Sequence, residues 1–178
     1  EGDQFAELNC EASGALYQDV LTKDGTALNY WLSHRARGNS TSEHVLHQGS
    51  KWNPYDQTTY YPGANVKQYD TMFLVMMPTK TAIDKNLTTQ TNLKNYLHKL
   101  GVNYSQTAPE EENEVVYDND GIKILRITSS NQKWHSILAT NDYIPTSSLT
   151  RFFFMAGKTA SGDPTVGNFL DNVGFSQE

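Results

Sequence analysis

The sequence predicts an all-β fold, an antiparallel β-sandwich with one inserted α-helix. Three observations carry that prediction. Some seven or eight short apolar or alternating runs are separated by turn-forming residues. A single stretch, between Thr88 and Leu100, has its apolar residues at helical spacing. Charged residues make up only 19% of the chain, so its polarity comes from Asn, Thr, Ser, Gln and Tyr, the makeup of a β-rich extracellular surface.

Taken in order, two apolar patches at Phe5–Leu8 and Ala15–Val20 flank a Ser13-Gly14 turn. Asp24-Gly25 turns the chain again. Thr26–Arg35 then alternates, with Leu28, Tyr30 and Leu32 on one face and Asn29, Trp31 and Ser33 on the other. Residues 36–69 lack periodicity but are rich in Gly, Asn, Ser, Pro and Tyr. Disordered chain is poor in aromatics, so a segment holding Trp52, Tyr55, Tyr60, Tyr61 and Tyr69 reads as an ordered, exposed loop.

Asp70–Met77 is a continuous apolar run stopped by Pro78, as a buried strand requires. Leu93, Tyr96, Leu97 and Leu100 place a helix before the stop at Gly101. The acidic run Glu110–Glu112 reads as a solvated loop. Strands follow at Ile122–Ile127, Trp134–Ala139, Leu149–Ala156 and Phe169–Phe175, with Ala160–Val166 as a turn-rich link. No repeat and no dividing linker interrupts them, so the 178 residues are expected to form one domain.

Composition excludes several functions. Lys and Arg number 14 against 20 Asp and Glu, a net charge of −6, and the basic residues are scattered. Nucleic-acid binding through the phosphate backbone needs a concentrated basic face, so it is disfavoured. Cys10 is the single cysteine, which rules out an intramolecular disulfide framework and a cysteine-based zinc site, and it is expected to be a small buried apolar residue. No run approaches the roughly 20 apolar residues of a membrane span. The chain opens at Glu1 without an initiator Met or a signal-like segment, and reads as an excised module or mature fragment.

Catalytic signatures are missing too. There is no G-x-S-x-G elbow and no Gly-rich loop opening the helix. His44-x-x-His47 could hold a metal, but two solvated loop histidines explain the spacing as well. The aromatic loop is more informative. Trp52, Tyr55, Tyr60 and Tyr61 stand among Asn53, Asp56 and Gln57, which puts flat apolar faces beside hydrogen-bonding groups. Sugar rings, with C–H patches and hydroxyls, are recognised by that mixture. Equally, these rings could pin the loop to the domain. His34-Arg35-Ala36-Arg37 forms a small cationic knot that could meet a ligand or pair with an acid such as Asp70.

The segments Phe5-Ala6-Glu7-Leu8-Asn9, Leu16-Tyr17-Gln18-Asp19-Val20, Thr22 with Gly25, and Leu28–Ser33 running into His34-Arg35-Ala36-Arg37 resemble galactose-binding-like jelly-roll modules of bacterial surface proteins, which are similar to carbohydrate-binding modules. Asp70-Thr71-Met72 is similar to the entry of the next strand. Thr150–Phe154 and the run from Ser161 to Val173 resemble the closing pair. The resemblance covers about half the chain, at its two ends. It leaves about 39–69 and 79–118 as insertions and the family's usual first strand upstream of Glu1.

The resemblance implies a jelly roll and a non-catalytic adhesion module, extracellular and cell-surface attached or secreted within a larger protein. Together with the aromatic loop, it leads to the expectation of a glycan ligand held by Trp52, Tyr55, Tyr60 and Tyr61, with His34 and Arg37 as polar contacts. It further implies a structural Ca²⁺, with Asp171 at the family's acidic position in the last strand and Glu7 near the first. Binding of a host protein, or a stalk role without a ligand, are the alternatives.

Overall fold

Nine strands form two antiparallel sheets in the computed structural model, which describes residues 5–9, 14–37, 67–105, 110–160 and 167–177. They are β1 (Ala6–Glu7), β2 (Ala15–Leu21), β3 (Leu28–Arg35), β4 (Tyr69–Pro78), β5 (Glu112–Asn119), β6 (Ile122–Ser130), β7 (His135–Tyr143), β8 (Leu149–Ala156) and β9 (Phe169–Ser176). Helices α1 (Thr79–Asp84) and α2 (Gln90–Lys99) lie between β4 and β5. One sheet has the order β1-β9-β3-β7 and the other β2-β8-β4-β6-β5.

With β5 set aside, the first strand pairs with the last, β2 with β8, β3 with β7, and β4 with β6. A folded-over ribbon of hairpins gives that nesting, which is the strand order of a jelly roll. The expected antiparallel sandwich is thus present, with β5 as an added edge strand.

The two apolar layers explain the two kinds of strand. Leu28, Tyr30 and Leu32 of β3 meet Met72, Leu74, Met76, Phe152 and Phe154 between the sheets. On the far face of the five-stranded sheet, Phe73, Val75, Met77, Phe153 and Met155 meet Ala82 of α1 and Leu93 and Leu97 of α2. Strands β4 and β8 are therefore covered on both sides and read as unbroken apolar runs. β3 is covered on one side and alternates.

Helix α2 is the one the periodicity predicts. Thr89 caps it, its Oγ1 accepting from the Asn92 N–H at 3.2 Å, and Gly101 ends it at φ +83°. The six residues of α1 carry no periodic signal, because only Thr79 and Ala82 are buried.

The acidic run differs from its expected role as a solvated loop. Glu112 opens β5 and pairs with Arg126, whose Nη2 lies 2.8 Å from its Oε1, while Glu111 accepts from Ser130 Oγ at 2.7 Å. The β5–β6 hairpin turns through Asp120 and Gly121 at φ +53° and +71°, the doubly left-handed turn that suits a twisted two-residue loop. Among the described residues no helix is long and apolar enough to cross a membrane.

Candidate functional site

The residues that close one end of the sandwich form a buried polar cluster. Asp70 opens β4 and is 2% exposed. Its carboxylate accepts backbone N–H groups from Arg37 at 3.1 Å, Ala160 at 2.8 Å and Asn168 at 3.4 Å. Burial pushes its pKa up, and the three donors pull the other way by stabilising the charged form. Beside it, Glu7 Oε1 accepts from Arg37 Nη1 at 3.0 Å and from the Gly167 N–H at 3.1 Å. Gly167 has φ +126°, and a Cβ there would stand 2.6 Å from Asp70 Oδ2, so the close approach requires glycine.

His34 lies deeper in the same cluster and is fully buried. Its Nδ1 is 2.7 Å from Ser129 Oγ and its Nε2 2.9 Å from Asn168 Oδ1, while Asn168 Nδ2 donates to Asn9 Oδ1 at 2.9 Å. Burial lowers its pKa to about 4, against the raising effect of the Asn168 hydrogen bond. The imidazole is therefore neutral at pH 7, with both ring nitrogens engaged.

The outer face of the four-stranded sheet carries exposed Ser136 and Leu138, half-buried Trp31 and Asp171, and buried Ser33. Ladder pairing sets Glu7, Phe169 and Arg35 in one row across it, and Trp31 beside Gly174 and Leu138 in another. Between those rows, Ser33 pairs with Asp171 on one side and Ser136 on the other.

At one end of this face, Phe5 is half exposed and packs on Phe169 at 4.7 Å and edge-on to Trp134 at 6.0 Å. At the other end the Trp31 indole fills the space above Gly174, where a Cβ would lie 2.2 Å from its ring. Leu138, beside it, is 74% exposed. Trp31 and Arg35 stand about 13 Å apart along β3. Aromatic platforms thus bracket a polar strip that includes the Ser33–Ser136 hydroxyl pair, 3.1 Å apart.

The expected site residues do not come together at one place. Trp52, Tyr55, Tyr60 and Tyr61 lie outside the described residues, as do Cys10, His44 and His47. Arg37 and Glu7 come together as an ion pair, and the Arg37 guanidinium lies 6.0 Å from the Phe169 ring centre. His34 is a core residue with no surface to offer a ligand, because its strand position turns it between the sheets with Tyr30 and Leu32.

Asp171 and Glu7 share the outer face on neighbouring strands. As calcium ligands they fit poorly, since Glu7 already serves a guanidinium and a backbone N–H. A calcium ion takes six to eight oxygens, and among the described residues no group of three or more Asp, Glu, His or Cys side chains is placed to hold a metal ion.

Sequence reasoning missed the outer-face residues Phe5, Phe169 and Leu138. The alternation of β3 was the one signal that put Trp31 on the face away from the core. Comparison with known proteins adds no relative to this geometry: no family model, no curated protein and no solved structure matches the chain.

Proposed function

We propose that this chain is a non-catalytic glycan-binding module of an extracellular bacterial surface protein. The observation that carries the proposal is the outer face of the four-stranded sheet. There Trp31 and the Phe5–Phe169–Trp134 group flank Ser33, Ser136 and Asp171. Apolar ring faces separated by oriented hydroxyl and carboxylate groups suit the C–H patches and hydroxyls of a short oligosaccharide. Among the described residues the helices pack on the other sheet. A jelly-roll strand order is the fold that a resemblance to galactose-binding-like modules implies.

The Trp52–Tyr61 segment belongs to the proposal as a second source of ring platforms. Calcium enters it only as a stabiliser, tested by thermal melting with and without a chelator. A glycan array followed by titration calorimetry tests the main reading. Trp31→Ala is expected to weaken binding about fivefold or more, and Trp52→Ala with Tyr60→Ala to weaken it further, since a stacked ring contributes on the order of 1 kcal/mol or more. Binding unchanged in all of these variants would remove the assignment.

A further inference from the structure

Sheets expose their edges, and of the four edges that the described residues form, three are protected. Strand β1 is two residues long. β5 breaks register between Val115 and Tyr117 and carries Glu112, Glu114 and Asp118. β7 breaks register against β3 and holds Asn141 at φ +52°. Short strands, bulges and charge all hinder pairing with a further strand.

The fourth edge, β2, has none of these devices. Its seven residues pair with β8 in unbroken register and include no Pro and no Lys. Its one charge, Asp19, is turned onto Arg151 at 2.7 and 2.8 Å. Leu16 is 49%, Tyr17 51% and Leu21 84% exposed.

The pairing phase of β2 is fixed by its ends. Ala156 N–H donates to Gly14 O, and Thr22 N–H to Ser148 O, so the even-numbered residues form the hydrogen-bonded pairs with β8. The N–H and C=O groups of Ala15, Tyr17, Asp19 and Leu21 therefore point away from the sheet.

We propose that β2 is a self-pairing edge through which two copies of this chain associate antiparallel about a two-fold axis at Gln18. In that register Ala15 and Leu21 of opposite copies form a hydrogen-bonded pair, as do Tyr17 and Asp19. Every outward N–H and C=O of the strand is then used.

The side chains agree with this register. Leu16 and Val20 lie on the core side of the sheet and would meet each other. Ala15 and Leu21 lie on the helix side and would do the same, and Gln18 meets its own copy. The order apolar-apolar-polar-polar-polar-apolar-apolar reads the same in both directions, which is what an isologous interface needs. A groove of about 450 Å³ lined by Val20, Leu21, Leu28 and Phe175 opens beside the strand, and Leu16 of the second copy would lie over its mouth.

The test is sedimentation equilibrium over a wide concentration range, with two variants. The chain is expected to dimerise reversibly. Tyr17→Pro removes an outward N–H from each copy while leaving the β8 ladder intact, so it should weaken the dimer about tenfold or more. In a Cys10→Ser background, Gln18→Cys should give a disulfide-linked dimer on mild oxidation, because directly opposed residues outside the hydrogen-bonded pairs lie within disulfide reach. A chain that stays monomeric throughout would overturn the proposal. So would a dimer indifferent to Tyr17→Pro, or one in which Cys at position 18 does not cross-link.

Discussion

Buried as a neutral ring, His34 should make stability fall with acidity in a window where no carboxylate is expected to do so. Its pKa is about 4 in the folded protein against 6.5 when free. The unfolded chain therefore binds the proton first, and folding opposes protonation. The stability is fully present above pH 6.5 and is lost as the pH falls toward 4. At roughly 1.4 kcal/mol per pH unit, the full effect is about 3 kcal/mol, of which about 2 kcal/mol appears between pH 7 and 5.

Other groups act around that window. Asp70, raised by burial, has the opposite sign and gains stability as the pH falls. Glu111 and Asp19 are lowered by their hydrogen bonds to Ser130 and Arg151, so their loss comes at and below their free values of 4.5 and 3.8. Nearby His135 also faces the cluster, through Ser129 Oγ at 3.4 Å. Urea unfolding at pH 7 and pH 5, in wild type and His34→Gln, separates the contributions. Wild type should lose about 2 kcal/mol more than the variant. Equal losses would mean that His34 does not remain neutral in the fold, and the reasoning would fail.

Asp19→Ala leaves Arg151, which is 5% exposed, without its counter-charge. Urea midpoints should drop by about 3 kcal/mol in stability, and adding Arg151→Met should recover part of that loss. Gly157→Ala places a methyl 2.7 Å from the Thr71 carbonyl oxygen, a backbone atom that cannot swing aside. Calorimetry should show a cost of about 2 kcal/mol or more. Thr89→Ala removes the α2 cap and should cost about 1 kcal/mol, readable by thermal melting.

Much of the fold was legible because the strands obey simple periods. The apolar run around Phe73 and the alternation from Leu28 to Leu32 located β4 and β3 to within two residues. Strand β5 was not legible, because an edge strand exposes most of its side chains and Glu112, Glu114 and Asp118 broke any alternation. Its Val115-Val116-Tyr117 centre and the Asp120-Gly121 turn were the signals available.

The site was less legible. His34 looked like a surface cation beside Arg35 and Arg37, yet it continues the inward phase of Tyr30 and Leu32, and that phase decides its burial. Which residues share the outer face depends on strand order, which brings the rings of Phe5 and Trp134 to 6.0 Å although they are far apart in the chain. No local pattern encodes that.

The Asp70 carboxylate has a consequence for the order of folding. Its three backbone donors stand 33, 90 and 98 residues away along the chain. Contacts of that span are closed only after intervening segments have lost their freedom, which makes them late and slow to form. Asp70 therefore contributes little to the speed of folding and much to the lifetime of the folded state. Through Asn168, at the entry to β9, it ties the last strand of one sheet to β4 of the other.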